Sequence, residues 1–324
     1  MSSKRTSHPE SSRDGAEPSS TDLETLQGRV AAVYTGYYLV LREGREWVCK
    51  LRGRFRREAR PVVGDLVDFL VHADGGGTIS ALHPRRTQLE RRAAHRGRSA
   101  PASAQVLAAN VDQLVIVASL REPPFRAGLV ERLLVAAAMA GLAPLICINK
   151  LDLAERDELG ELEAVYGALD IPVLGTAALQ PETLAGLEAA LAGKTSVLVG
   201  HSGVGKTSLL NALAEREMAV GEVAGGSKGL GRHTTSTARL IPLRGGAFAI
   251  DSPGVREFGL HGVAAADLAR HYPDFRPFLG ACRFGDCLHR GEPGCAIGEA
   301  VAEGRITQAR YDSYHTLLGE LEDS

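Results

Sequence analysis

One eight-residue run, Gly200-His201-Ser202-Gly203-Val204-Gly205-Lys206-Thr207, restricts this chain's fold more than any other feature. It fits G-x-x-x-x-G-K-[ST] without a mismatch, between the apolar run 196–199 and the helix-like sequence SLLNALAE. The glycines let successive backbone N–H groups converge on one anion. The Lys206 ammonium can then reach the outer phosphates of a nucleotide, and the Thr207 hydroxyl can ligate Mg²⁺, with Ser208 in the first helical turn beside them. Such a loop presupposes a strand that ends where a helix begins, and hence a parallel sheet.

The flanking sequence supplies that sheet. Apolar runs at 113–118, 144–148, 171–174 and 196–199 read as buried strands, and 129–141 and 181–191 as helices, the first ending at a glycine cap. Strands and helices that alternate in this way give an α/β layer with helices on both faces. A further strand is expected at 247–250.

Three more motifs lie at the ends of these strands. Asn149-Lys150-Leu151-Asp152 directly follows the second of them and fits N-K-x-D. A carboxylate at Asp152 can accept from N1–H and N2–H of guanine, two donors that adenine lacks. Asn149 and Lys150 would brace the base and the phosphate loop, and Thr176-Ala177 could add a backbone contact to the base. Asp251-Ser252-Pro253-Gly254 fits D-x-x-G, with Asp251 holding Mg²⁺ through water and Gly254 offering its N–H to a γ-phosphate. Gly231-Arg232-His233-Thr234-Thr235 resembles a switch segment, in which Thr234 or Thr235 completes the Mg²⁺ shell, with Thr235 preferred. The order is unusual: N-K-x-D precedes the phosphate loop, so the sheet closes only if the nucleotide domain is circularly permuted.

Charge is distributed unevenly. The whole chain of 324 residues has net charge −2, yet residues 28–98 carry net +8. Five β-prone runs, at 29–34, 38–41, 46–51, 65–71 and 78–82, suggest a small all-β barrel of OB type there. Arg42, Arg45, Lys50, Arg52, Arg54, Arg56, Arg57, Arg60, Arg85 and Arg86 are interleaved with Tyr34, Tyr37, Tyr38, Trp47, Phe55 and Phe69. Basic grooves with stacking aromatics hold single-stranded nucleic acid, which makes RNA the expected partner of this segment. Residues 1–26 are polar and Ser-rich and read as a disordered tail, and 93–106 as a linker.

Near the C-terminus, Cys282, Cys287, His289 and Cys295 form C-x4-C-x-H-x5-C, a donor set that closes a tetrahedral zinc shell and so predicts a structural ion. Cys49 and Cys147 lie in apolar runs and read as core. An odd number of cysteines, no apolar h-region, and no run approaching the ~18 residues of a membrane span argue for a cytoplasmic chain without a membrane. Residues 306–321 have the spacing of an amphipathic helix.

From about residue 27 to the C-terminus, the order of barrel, permuted nucleotide domain and Cys3His module resembles the RsgA (YjeQ) family of ribosome small-subunit-dependent GTPases. The stretches GLGRHTTSTARL and DSPGVREFGL carry the resemblance as well. It implies slow GTP hydrolysis to GDP, stimulated by the small ribosomal subunit and its rRNA, late in subunit maturation. The expected organisation is a barrel at 27–92, a permuted GTPase domain at 107–259 and a zinc module at 260–324, in a monomer. Val255 stands where Ras-like enzymes place a water-orienting Gln. His233, two residues from Thr235, is the nearest polar group able to take that role. Two other readings are an ATP-dependent RNA enzyme, which Asp152 opposes, and an RNA-binding protein with nucleotide as a structural ligand, which the complete phosphate and Mg²⁺ set opposes.

Overall fold

Gln113–Ser119 is buried along its whole length, as an interior parallel strand covered by helices on both faces must be. It is strand β8 of the computed structural model, which describes residues 24–53, 60–92, 104–155, 157–214, 238–251 and 263–322. Its neighbours are β9 (Ala143–Asn149) and β11 (Thr195–Val199), both parallel to it. The sheet continues through β10 (Val173–Gly175) on one side and β13 (Ala247–Asp251) on the other. Its last member, β12 (Arg239–Leu243), runs antiparallel to β13. Helices α1 (Ala127–Ala140) and α2 (Glu158–Gly167) cover one face, over Leu114, Ile116, Ile146 and Ile148. Helices α3 (Ala185–Leu191) and α4 (Lys206–Leu213) cover the other, over Val115, Val117, Leu145 and Cys147. Neighbouring residues of one strand thus enter opposite cores, the period-two rule for a sheet buried on both sides.

The N-terminal strands are β1 (Thr25–Tyr34), β2 (Tyr37–Arg42), β3 (Arg45–Leu51), β4 (Leu66–Val71) and β5 (Gly77–Leu82). They pair in the cycle β1–β2–β3–β5–β4–β1, which closes a five-stranded barrel as the alternation suggested. Val30, Tyr38, Val40, Cys49, Val67, Phe69 and Ile79 fill it. Two of the aromatics expected to offer stacking faces, Tyr38 and Phe69, are therefore core residues. Barrel and central sheet are continuous, because Ala32 of β1 pairs with Arg239 of β12.

Part of the expected linker is ordered differently. Ala104–Ala109 is strand β7, antiparallel to β6 (Gln88–Arg92), so residues 104–106 belong to a hairpin. The expected helix 181–191 is broken into a 3-10 turn, Pro181–Thr183, and α3. The C-terminal part has its own core of Leu268, Tyr272, Phe275, Ile297, Ile306, Tyr314 and Leu317, which also takes in Val135 of α1. It is built from α5 (Ala296–Ala302), α6 (Gln308–Glu322) and short 3-10 turns.

Candidate nucleotide site and metal cluster

The phosphate-loop residues lie between β11 and α4, at the carboxyl edge of the parallel strands. Here the glycines are required by space as well as by conformation. Gly200 has φ +150°, and a Cβ there would stand 2.0 Å from the Val117 carbonyl oxygen. Gly205 has φ +92°, and a Cβ there would stand 2.3 Å from Asn149 Nδ2. The Lys206 ammonium donates to the carbonyls of Gly200 (2.8 Å) and His201 (2.7 Å), which folds the loop around it. Ser202, Gly203, Thr207 and Ser208 are exposed, and Val204 is buried among the α4 leucines.

Asn149 joins this loop to the N-K-x-D turn. Its Nδ2 donates to the Val204 carbonyl at 2.8 Å, while its Oδ1 accepts from Thr176 Oγ1 (3.2 Å) and the Ala178 N–H (3.1 Å). One buried side chain therefore fixes three segments that are distant in sequence. Lys150 sits in the left-handed region at φ 60° and donates from Nζ to the Glu122 carbonyl at 2.6 Å. The Leu151 N–H donates to the Thr176 carbonyl, and the 3-10 turn Leu151–Leu153 leaves Asp152 exposed to whatever enters the site. Thr176 thus braces the turn, and the Ala177 N–H is already committed to Thr183 Oγ1 at 2.8 Å. Asp251 ends β13, exposed, with Arg239 as its register partner. Gly254, Val255, His233, Thr234 and Thr235 lie outside the described residues, as do Arg54, Phe55, Arg56 and Arg57.

The structure also involves residues that no motif marks. Ser119, the last residue of β8, and Pro123, in the loop to α1, border the phosphate loop, Glu122 holds Lys150, and Thr183 locks the turn after β10. Their roles come from contacts made across the fold, and nothing in the local sequence announces them.

The four C-terminal ligand candidates converge. Their donor atoms lie within 4.8 Å of one another, and His289 Nδ1 stands 3.5 Å from the Sγ atoms of Cys282, Cys287 and Cys295 alike. Zinc bonds of about 2.3 Å to sulfur and 2.0–2.1 Å to nitrogen, at the tetrahedral angle, set N and S about 3.5 Å apart. The cluster thus has the dimensions of a metal shell. The Tyr311 hydroxyl and His315 engage the His289 carbonyl at 2.7 and 3.0 Å, so α6 holds the ligand from behind.

On the barrel, several arginines are already occupied. Arg85 forks onto the fully buried Asp65 at 2.8 and 2.9 Å, and Arg86 pairs with Asp112 at 2.9 Å. Arg45 instead stacks over Trp47, its guanidinium carbon 3.8 Å from the ring centroid. Tyr34 and Tyr37 stack on each other at 4.7 Å.

A phosphate-loop sheet in which the strand leading into N-K-x-D, β9, precedes the loop strand β11 has the motif order of a circularly permuted GTPase. The chain belongs to the RsgA GTPase family, which it matches over residues 82–261, with the RsgA N-terminal domain matched over residues 27–79. It is 39% identical over 298 residues to a Moorella thermoacetica protein named small ribosomal subunit biogenesis GTPase RsgA, covering 91% of this chain and 97% of that one. A Pseudomonas fluorescens protein of the same name is 46% identical over 81% of this chain and 76% of its own length. Among solved structures, YjeQ from Thermotoga maritima superposes with a TM-score of 0.75 at 31% identity, covering 93% of this chain and all of that one. YloQ, described as a circularly permuted GTPase, gives 0.72 at 28% identity over 93% of this chain and 96% of that one.

Proposed function

We propose that this chain hydrolyses GTP to GDP and phosphate on the small ribosomal subunit and assists that subunit's late maturation. The observation that carries the reading is Asn149, whose single side chain ties the N-K-x-D turn to the phosphate loop and so makes one guanine-nucleotide site of two motifs. Relatives 39% and 46% identical to it bear the name small ribosomal subunit biogenesis GTPase RsgA.

Within that site the phosphate-loop N–H groups and Lys206 take the phosphates, Asp152 reads guanine, and Lys150 braces the base. The exposed Thr207 hydroxyl, in the first turn of α4, and the exposed Asp251 carboxylate, at the end of β13, are hard oxygen donors that suit Mg²⁺, with Thr235 as a third donor. When bound, that ion neutralises charge developing on the phosphates. Val255 carries no hydrogen-bonding group, so His233 orients the attacking water. Three thiols, each 3.5 Å from one imidazole nitrogen, suit zinc in a structural role. The barrel's charge excess suits rRNA, and no helix among the described residues is long and apolar enough to cross a membrane. The chain works as a cytoplasmic monomer in this reading.

Multiple-turnover phosphate release tests it, with GTP or ATP and with or without small subunits. GTP-selective turnover that the subunit stimulates is expected, and His233→Ala should keep GTP binding while losing most of the stimulation. Equal use of ATP, or no turnover under any condition, overturns the reading.

A further inference from the structure

We propose that the loop between β8 and α1, residues 120–126, is a positioning element for guanine nucleotide, and that Ser119 sets its shape. The inference rests on the guanine site described above and concerns residues that none of its motifs contain. The Lys150 ammonium is held by the backbone carbonyl of Glu122 at 2.6 Å, and Glu122 itself has φ +49°, a conformation that needs support in an L residue. That support comes from Ser119. It is 1% exposed, its Cα is the register partner of Asn149, and its hydroxyl donates to the Pro123 carbonyl at 2.8 Å. The bond spans Glu122 and fixes the direction in which its carbonyl points.

The loop is held from its other side as well. Arg121 reaches Glu155 at 3.0 Å and Glu158 at 2.9 Å, both just beyond the base-reading turn. Pro123 Cδ stands 3.7 Å from where a Cβ on Gly203 would sit, so the proline ring lies alongside the phosphate loop. Leu120 and Phe125 anchor the two ends of the loop in the core beneath α1, and Ile116, Leu129, Leu133 and Val204 line a small apolar cavity beside Pro123 and Pro124. Between these anchored ends, the Ser119 hydroxyl makes the bond that spans Glu122. The chain of effect runs from Ser119 to the Glu122 carbonyl, to the Lys150 ammonium, to the base that Lys150 braces.

Equilibrium binding of fluorescent GDP to the full-length protein tests the chain of effect as a double-mutant cycle. Ser119→Ala should weaken GDP binding about fivefold, the worth of one buried hydrogen bond. It should raise KM for GTP by a like factor with kcat within about twofold, since the loop touches no reacting atom. In a Lys150→Met background the same substitution should change affinity less than about twofold, because its target is gone. Ser119→Cys, close in size and a weaker donor, should fall between serine and alanine, and it carries the test if the alanine variant proves unstable. An unchanged affinity for Ser119→Ala in the native background, or an equal loss in both backgrounds, overturns the proposal. Failure of the parent reading would look different: the unmodified protein would not prefer GDP to ADP.

Discussion

At the scale of single residues, the site divides into groups that a local pattern reveals and groups that only the fold reveals. Gly200, Gly205, Lys206 and Asn149 were legible as motif positions, and the structure brings them together through the Asn149–Val204 and Lys206–Gly200 hydrogen bonds. Ser119 and Thr183 were not, since each acts on a segment reached through the sheet. The same distinction corrects the reading of the basic barrel. Arg85 counted as part of a polyanion-facing cluster, yet it neutralises the buried Asp65. Arg85→Met should therefore cost stability and leave subunit affinity nearly unchanged. Neutralising Arg52, Arg54, Arg56 and Arg57 together should do the reverse, lowering the salt slope of subunit binding by about one unit per lost phosphate contact. Titrations over a salt series, paired with thermal melts, separate the two. A second expectation belongs to Asp152. A site built around two hydrogen bonds rejects a ligand lacking them by roughly 10⁴-fold or more, because its acceptor is left unpaired. Asp152→Asn should lose GTP and gain xanthosine triphosphate, whose O2 faces the new amide. Competition binding with both nucleotides checks it, and an unaltered GTP preference would remove Asp152 from the base.

At the scale of elements, strands were easier to read than helices. β8, β9 and β11 are continuous apolar runs, and a parallel strand covered on both faces demands that composition. Helix α2 is hard to read from sequence because its apolar face is short: Leu159, Leu162 and Tyr166 pack on the core, only Tyr166 is fully buried, and Gly160 and Gly167 interrupt the run. The β6–β7 hairpin was hidden because the pairing of Gln88–Arg92 with Ala104–Ala109 spans a stretch that reads as linker. The Cys3His element was legible as chemistry, though its spacing alone does not show that the donors meet. Its stability should depend on the ion, because metal binding supplies much of the folding free energy of such small modules. One equivalent of zinc per chain is expected by elemental analysis. Chelation should release hydrogen-exchange protection in Ala296–Ala302 while the amides of β8 and β11 stay protected. Metal-free protein with unchanged exchange near Cys295 would make the cluster a set of reduced thiols.

At the scale of the whole molecule, helix α1 matters beyond its own domain. It packs Val130, Leu133, Leu134 and Ala137 onto the central sheet and still has a face left for the C-terminal module. Val135 enters that module's core, and Glu131, 4% exposed, is paired with Arg310 of α6. Arg310, 5% exposed, also forks onto Asp274 at 2.8 and 3.1 Å, and its guanidinium carbon lies 4.7 Å from the centre of the Tyr272 ring. Burial lowers the Arg310 pKa to about 10, so the side chain remains a cation at neutral pH. One guanidinium thus compensates two buried carboxylates, one from each module. Removing it strands both, and breaking a buried pair of this kind costs about 3–5 kcal/mol. Arg310→Met should therefore undock the C-terminal module, seen as a separate low-temperature unfolding step and as faster hydrogen exchange in Gln308–Glu322. The defect should depend on pH in a definite direction. Burial already pushes the Asp274 carboxyl up to about 6, so the folded state holds its proton more tightly than the unfolded chain does. Stability from that group is complete below the unfolded value of about 4 and is lost as pH rises through 6. Without the cation the Asp274 carboxyl prefers the neutral form more strongly still. The gap between variant and native protein should thus be widest near pH 8 and narrow toward pH 5. Combining Arg310→Met with Glu131→Gln and Asp274→Asn should recover most of the loss, because no uncompensated charge remains buried. If the triple variant melts no higher than Arg310→Met alone, the module is docked by the packing of Arg310 against Tyr272, and the shared charge between the domains is incidental.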